Sequence, residues 1–244
     1  MTKGSLRIAL LISGGGTTAT AIIAACRSGR LTGIEPVCVI ASKPDAGGIE
    51  KVQTVGFPKA GVHVVVPRSF ARREAFGEAL LDIFEQANVD FVGQYGWNPK
   101  TPVNVIERYR NMMTNQHPGP LDPPRPDFGG AGMYGRRVVA ARLLFVRRTN
   151  REFWTEATAQ RVGVNLDVGA VLGRKQVPVL PEDDVGSLQA RLLPEEHELQ
   201  IETLQHFANG TVTELARKEP LVRPEEVSIL EECRAEAIRL YPEG

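Results

Sequence analysis

Near the start of the chain an apolar run at residues 7–13 breaks into three glycines, Gly14, Gly15 and Gly16. The chain then resumes at residues 17–29 with apolar side chains at helical spacing and Gly29 as a stop. Strand, glycine turn and helix in that order commit a chain to crossover connections, because the next strand must return beside the first. The alternation repeats. Residues 36–42 read as a strand, 48–56 as a short helix, 62–67 as a strand, 70–88 as a long amphipathic helix and 89–96 as a fourth strand. A small helix near 103–108 leads to a fifth strand at 111–117 that ends on His117. Helices follow at 135–146, about 185–207 and about 225–240, with strand candidates at 156–162 and 168–179. Such alternation predicts an α/β fold: a doubly wound, mostly parallel sheet with helices on both faces, and ligands at the carboxyl ends of its strands.

With 244 residues, 42% of them hydrophobic, the chain can close one sizeable core, and a single domain is expected. Lys plus Arg and Asp plus Glu are 29 each, so no global positive field holds nucleic acid, and no nucleic-acid partner is expected. Three cysteines, Cys26, Cys38 and Cys233, show neither CxxC spacing nor a nearby His pair, which predicts inert thiols and no metal site. The apolar run at 8–12 is too short for a membrane span or a signal peptide. No membrane partner is expected, and the cytoplasm is the expected compartment.

Three places stand out for chemistry. Ser13 to Thr18, between strand and helix, allows close backbone approach to an anion, and the helix dipole favours phosphate there; a tight turn without a ligand is the alternative. The stretch lacks a third glycine, since Ala19 and Thr20 occupy that region, and it lacks a Walker lysine. Asn115 and His117 alternate onto one side of the fifth strand, and an amide beside an imidazole suits oxyanion stabilisation and proton transfer. Taken alone, a histidine such as His117 is more often structural than catalytic. Asp167 precedes a glycine and an apolar strand, where a turn-forming role is the simpler reading. His63, His197 and His206 read as structural, Arg68, Arg72 and Arg73 as the solvated start of a helix, and Glu182, Asp183 and Asp184 as the cap of the next.

These pieces together resemble the folate-dependent formyltransferase family, on the branch that formylates glycinamide ribonucleotide. RIALLISGGGTTATAIIAA is similar to its opening strand and GxGSN loop, and VIASKPDAGGIEKVQTVG to the segment that follows. NQHPGPLDP is similar to the NxHPSLLP signature, LDVGAVLGRKQVPVLPEDD to the LDxGxxIxQxxVPV stretch, and LLPEEHELQIETLQHFANGTV to the helix after it. The resemblance covers roughly residues 6–212. It implies a Rossmann-like formyltransferase fold, with a catalytic domain at 1–212 and a helical extension at 213–244 packed outside the core.

Several departures from the family pattern are visible. Gly15 and the Thr17–Thr18 pair replace Asn and Ser-Asn of the phosphate loop, and residues 123–127 lengthen the signature loop. GWNPK stands for FMRIL, Gln160 for a His, and Val164 and Asn165 for acidic residues.

Carried over residue by residue, the resemblance implies Asn115, His117 and Asp167 as the catalytic trio. It implies Gly14, Gly15, Gly16, Thr17 and Glu196 as contacts of a small phosphorylated amine, with Glu196 at the ribose hydroxyls. Trp97, Asn98, Pro99 and Lys100 would contact the co-substrate, 10-formyltetrahydrofolate. No metal is required. In the implied reaction Asn115 and a protonated His117 stabilise a tetrahedral oxyanion, while Asp167 orients the imidazole and raises its pKa. A monomer or a homodimer is expected. Formyl transfer to another amine, hydrolysis of the formyl folate, and a non-catalytic nucleotide-binding module remain open as alternatives. A nicotinamide oxidoreductase is disfavoured, because Ser42 and Lys43 stand where an acidic residue would end the second strand.

Overall fold

The computed structural model describes residues 4–244. Its strands are β1 (Leu6–Ile12), β2 (Ile34–Ala41), β3 (Val62–Val64), β4 (Phe91–Gln94), β5 (Met113–His117), β6 (Trp154–Arg161) and β7 (Val171–Pro178). Its α-helices are α1 (Thr17–Arg27), α2 (Gly48–Thr54), α3 (Arg73–Gln86), α4 (Val103–Arg108), α5 (Arg136–Thr149), α6 (Val185–Asn209) and α7 (Val227–Leu240). One seven-stranded sheet runs in the order β3-β2-β1-β4-β5-β6-β7. The pairings from β3 through β5 are parallel, and β6 pairs with β7 antiparallel. The mostly parallel α/β sheet expected from the sequence is the one observed.

Contacts group the chain into two compact units. One takes the chain up to Asn115 with Gln200–Val212, and the other takes Gln116–Leu199 with Thr213–Gly244. In the first, residues Ile8–Ile12 of β1 have no solvent exposure, as a central parallel strand covered on both faces requires. Ala19, Ile22 and Ile23 of α1 recur at three and four residues and close onto the same core. Each fully buried isoleucine there stabilises the fold by about 1.5–3 kcal/mol. Order reverses between β1 and β4, neighbours whose chains leave toward β2 and β5, and a crevice opens at the carboxyl ends of strands at such a point.

The second unit has its own core. Leu230, Cys233 and Ala237 make a buried stripe on α7 and pack with Phe128, Val138, Ala141 and Phe145. The extension is therefore built into a core through its helical stripe, whereas the sequence placed it outside one. The Arg142 side chain of α5 is wholly buried, donating to the carbonyls of Trp154 and Glu152 at 2.9 and 2.7 Å. Burial pulls its pKa down to about 9. At the start of α6 the Ser187 amide donates to Asp184 Oδ1 at 2.7 Å, which makes Asp184 the capping carboxylate of the acidic triplet. All three thiols are free, and burial pushes them up to about 11 for Cys26 and Cys233 and about 12 for Cys38. Among the described residues, no helix is long and apolar enough to cross a membrane.

Candidate active site

In the first unit, β1 delivers Ser13 and the three glycines to the start of α1. Gly16 adopts φ 59°, and a Cβ there would stand 2.6 Å from the Gly48 Cα, so α2 presses directly on the turn. The Gly48 amide donates to the Gly14 carbonyl at 3.0 Å, which locks that approach. No side chain caps the start of α1. Gly14 and Gly15 are exposed, so the turn presents backbone to solvent at the positive end of a helix, the arrangement that holds phosphate. Lys51 of α2 adds a cation, its Nζ 3.5 Å from where a Cβ on Gly15 would stand.

Beside this turn lies a pocket of about 760 Å³ within the same unit. Ser13 organises its inner wall: its hydroxyl accepts from the Ser42 hydroxyl at 2.6 Å and from the Asn98 amide at 2.9 Å, and its own amide donates to the Gly96 carbonyl at 2.9 Å. Asn98, Pro99 and Lys100, three of the four residues for which the resemblance implied folate contacts, line the pocket. Trp97 does not; it is buried, and its ring stacks on Phe76 at 6.3 Å between centroids. Lys43, Arg68, Arg72 and Arg73 join Lys100 around apolar Phe70 and Phe76. Arg68, Arg72 and Arg73 are exposed, as the solvated helix start read from the sequence requires, and they also line the pocket.

The second unit holds His117 and Asp167. His117 is 3% exposed, and its Nδ1 lies 3.9 Å from Asp167 Oδ2. The imidazole also hydrogen-bonds the Phe128 backbone carbonyl, while Nε2 is buried with no partner among the described residues. That bond therefore belongs to Nδ1, which assigns the proton there and leaves the Nε2 lone pair free. Burial holds the His117 pKa below its usual value, outweighing the opposing pulls of Asp167, Phe128 and Glu156. Desolvation thus works against the carboxylate's attraction, which was the one influence on this imidazole that the sequence reading took into account.

Asp167 sits at φ 55°, in the left-handed region that branched or bulky residues avoid and that Asp tolerates at some cost. Both of its oxygens are held. The Gln160 amide donates to Oδ1 at 2.6 Å and the Gly130 amide to Oδ2 at 2.9 Å. Glu196 on α6 is 5% exposed and accepts from the Gln116 side chain, with Oε1 unpartnered among the described residues. Burial raises its pKa to about 7, and a solvated helix face is ruled out for it. Asn115 and Gln116, half-buried on β5, precede the buried His117, so Asn115 and His117 share one side of the strand.

A family model described as formyl transferase matches residues 6–204. The chain belongs to the formyl transferase family. It is 28% identical over 221 residues to a chloroplastic phosphoribosylglycinamide formyltransferase of Vigna unguiculata, covering 90% of this chain. To the Arabidopsis thaliana chloroplastic counterpart it is 31% identical over 202 residues, covering 81% of this chain. The chain spans 66% and 64% of the length of those two plant relatives. A crystal structure of glycinamide ribonucleotide transformylase 1 from Symbiobacterium toebii superposes with a TM-score of 0.72 at 29% identity, covering 84% of this chain and 89% of that one.

For a formyl transferase, the chemistry falls to side chains that titrate or donate. Among the described residues, no group of three or more His, Cys, Asp or Glu is placed to hold a metal ion. Sequence reasoning missed Lys51, Ser42 and the Gly130 amide, whose roles arise from packing between segments distant in the chain. The basic run at 68–73 was visible, and only the pocket it faces was not.

Proposed function

We propose that this chain transfers the formyl group of 10-formyltetrahydrofolate to the amine of glycinamide ribonucleotide. The observation that carries the reading is the buried His117, with Nε2 unpartnered among the described residues and Nδ1 directed to Phe128 and Asp167. The substrate amine attacks the formyl carbon, and the carbonyl oxygen becomes an oxyanion that accepts from the Asn115 side-chain amide. His117 Nε2 takes the proton released by the attacking nitrogen and gives it to the folate nitrogen as the carbon–nitrogen bond to the donor breaks. Asp167 stabilises the imidazolium that exists between those two transfers.

Binding roles follow from each unit's own geometry. The glycine turn and Lys51 suit the substrate phosphate, and Glu196 suits the ribose hydroxyls, whose protons it accepts when ionised. The pocket lined by Asn98, Pro99 and Lys100 suits the folate, with the apolar Phe70 and Phe76 beside its aromatic portion and the surrounding cations for its glutamate carboxylates. A cytoplasmic location suits the three unpaired thiols, which persist in a reducing compartment.

An absorbance assay of formyl-folate loss, run with and without glycinamide ribonucleotide, tests the reading. Acceptor-dependent loss is the expected result. Loss without acceptor makes the chain a hydrolase, and no loss with either refutes the assigned substrates.

A further inference from the structure

The segment Asp127–Gly130 touches the catalytic pair on one side and the carboxy-terminal extension on the other, all within the second unit. Toward the site, Phe128 offers its carbonyl to His117, and the Gly130 amide donates to Asp167 Oδ2 at 2.9 Å. A Cβ on Gly129 would stand 2.7 Å from the Asp167 Cβ, so backbone and carboxylate are in direct contact. Toward the extension, the wholly buried Phe128 ring packs with Leu221, Val222, Leu230 and Cys233. Arg234 of α7 donates from Nη1 to the Asp127 carbonyl at 3.1 Å, and its Nη2 lies 3.6 Å from where a Cβ on Gly130 would stand.

The flanks of the segment are tied down in the same way. Arg125 donates to the Val222 carbonyl at 3.1 Å, and Arg137 to the Tyr241 carbonyl at 2.8 Å. The segment needs this support. Asp127 has φ 42° and Gly130 φ 85°. A non-glycine residue in the left-handed region costs about 1 kcal/mol or more, and it persists only where its surroundings over-determine it.

We infer that Arg234 is a positioning residue for formyl transfer: by fixing segment 127–130 it sets the Nδ1–H tautomer of His117 and the direction of the Asp167 carboxylate. The inference rests on the reading of His117 and Asp167 as catalytic. It gives the extension a task within the reaction, exercised through the segment that Arg234 holds.

Two readouts on the full chain separate this inference from that reading: the ring-nitrogen NMR shifts of ¹⁵N-labelled His117, and kcat for formyl transfer. In wild type the shifts are expected to show a single Nδ1–H tautomer. In Arg234→Leu they should move toward a tautomer mixture while kcat falls about 10- to 100-fold, the cost of misplacing a reacting group, with KM for both substrates little changed. Arg234→Lys keeps the charge and the methylene stem and is read the same way if the leucine variant does not fold. Its shifts and kcat should move in the same direction by a smaller amount. Shifts and kcat both unchanged overturn the inference, as does a fall in kcat with unmoved shifts. Moved shifts with unchanged kcat leave Arg234 as the residue that positions His117 and instead overturn the catalytic role of His117.

Discussion

The two units meet their chemical demands by opposite means. In the first, the turn proposed to hold phosphate is made of backbone: three glycines, the open start of α1, and α2 pressed so close that Gly16 and Gly48 leave no room for a side chain. In the second, the proposed site is made of side chains, the buried His117 and Glu196 and the half-buried Asp167, held by hydrogen bonds with Phe128, Gly130, Gln160 and Gln116. A backbone site tolerates changes of side chain around it and fails when the backbone moves. A side-chain site keeps its fold under substitution and loses its tuning.

Substituting Gly16 should break the first half of that contrast most severely. Gly16→Ala forces a Cβ into a left-handed position and against the Gly48 Cα, combining backbone strain with overpacking for a loss of about 4 kcal/mol in stability. Thermal unfolding checks it, and an unchanged midpoint would mean that the turn is not rigid.

Titration probes the second unit. Burial raises the Glu196 pKa from its ordinary 4.5 to about 7 in the fold, so the folded state favours the protonated carboxyl. Its contribution is full below about pH 4.5 and is lost as pH rises through the folded value, by about 3 kcal/mol at about 1.4 kcal/mol per unit. Urea unfolding across pH should show that decline, and Glu196→Gln should flatten it. A decline of equal size in the variant would assign the effect elsewhere.

Loss of one support of Asp167 is the gentlest of these tests. Gln160→Leu removes the donor to Oδ1 but leaves the Gly130 amide on Oδ2. Turnover should fall about 10-fold with stability nearly kept, the worth of about one hydrogen bond to a charged group. Steady-state kinetics beside thermal unfolding distinguishes this outcome from a general loss of fold.

The same contrast explains what could be read from the sequence. The glycine turn, the alternation of strands and helices, and the stripe of α1 are local patterns, and each appears where expected. His117 and Asp167 were visible as candidates, and they pair at 3.9 Å. The desolvation of His117 was not visible, because burial depends on everything packed around β5. The core made by α7 was also missed: its 230, 233 and 237 stripe is plain, but what the stripe covers depends on the lengthened loop that places Phe128. Trp97 turned inward because Phe76, twenty-one positions earlier, offers it a ring to stack on.

The central claim is that His117 Nε2 carries the proton during formyl transfer. The most direct measurement is single-turnover transfer of a labelled formyl group from the folate to glycinamide ribonucleotide by wild type and by His117→Ala. The account predicts labelled formyl product from wild type and a rate lower by about 100- to 10,000-fold in the variant, with the folded state and substrate binding retained. Comparable rates from the two proteins would contradict it.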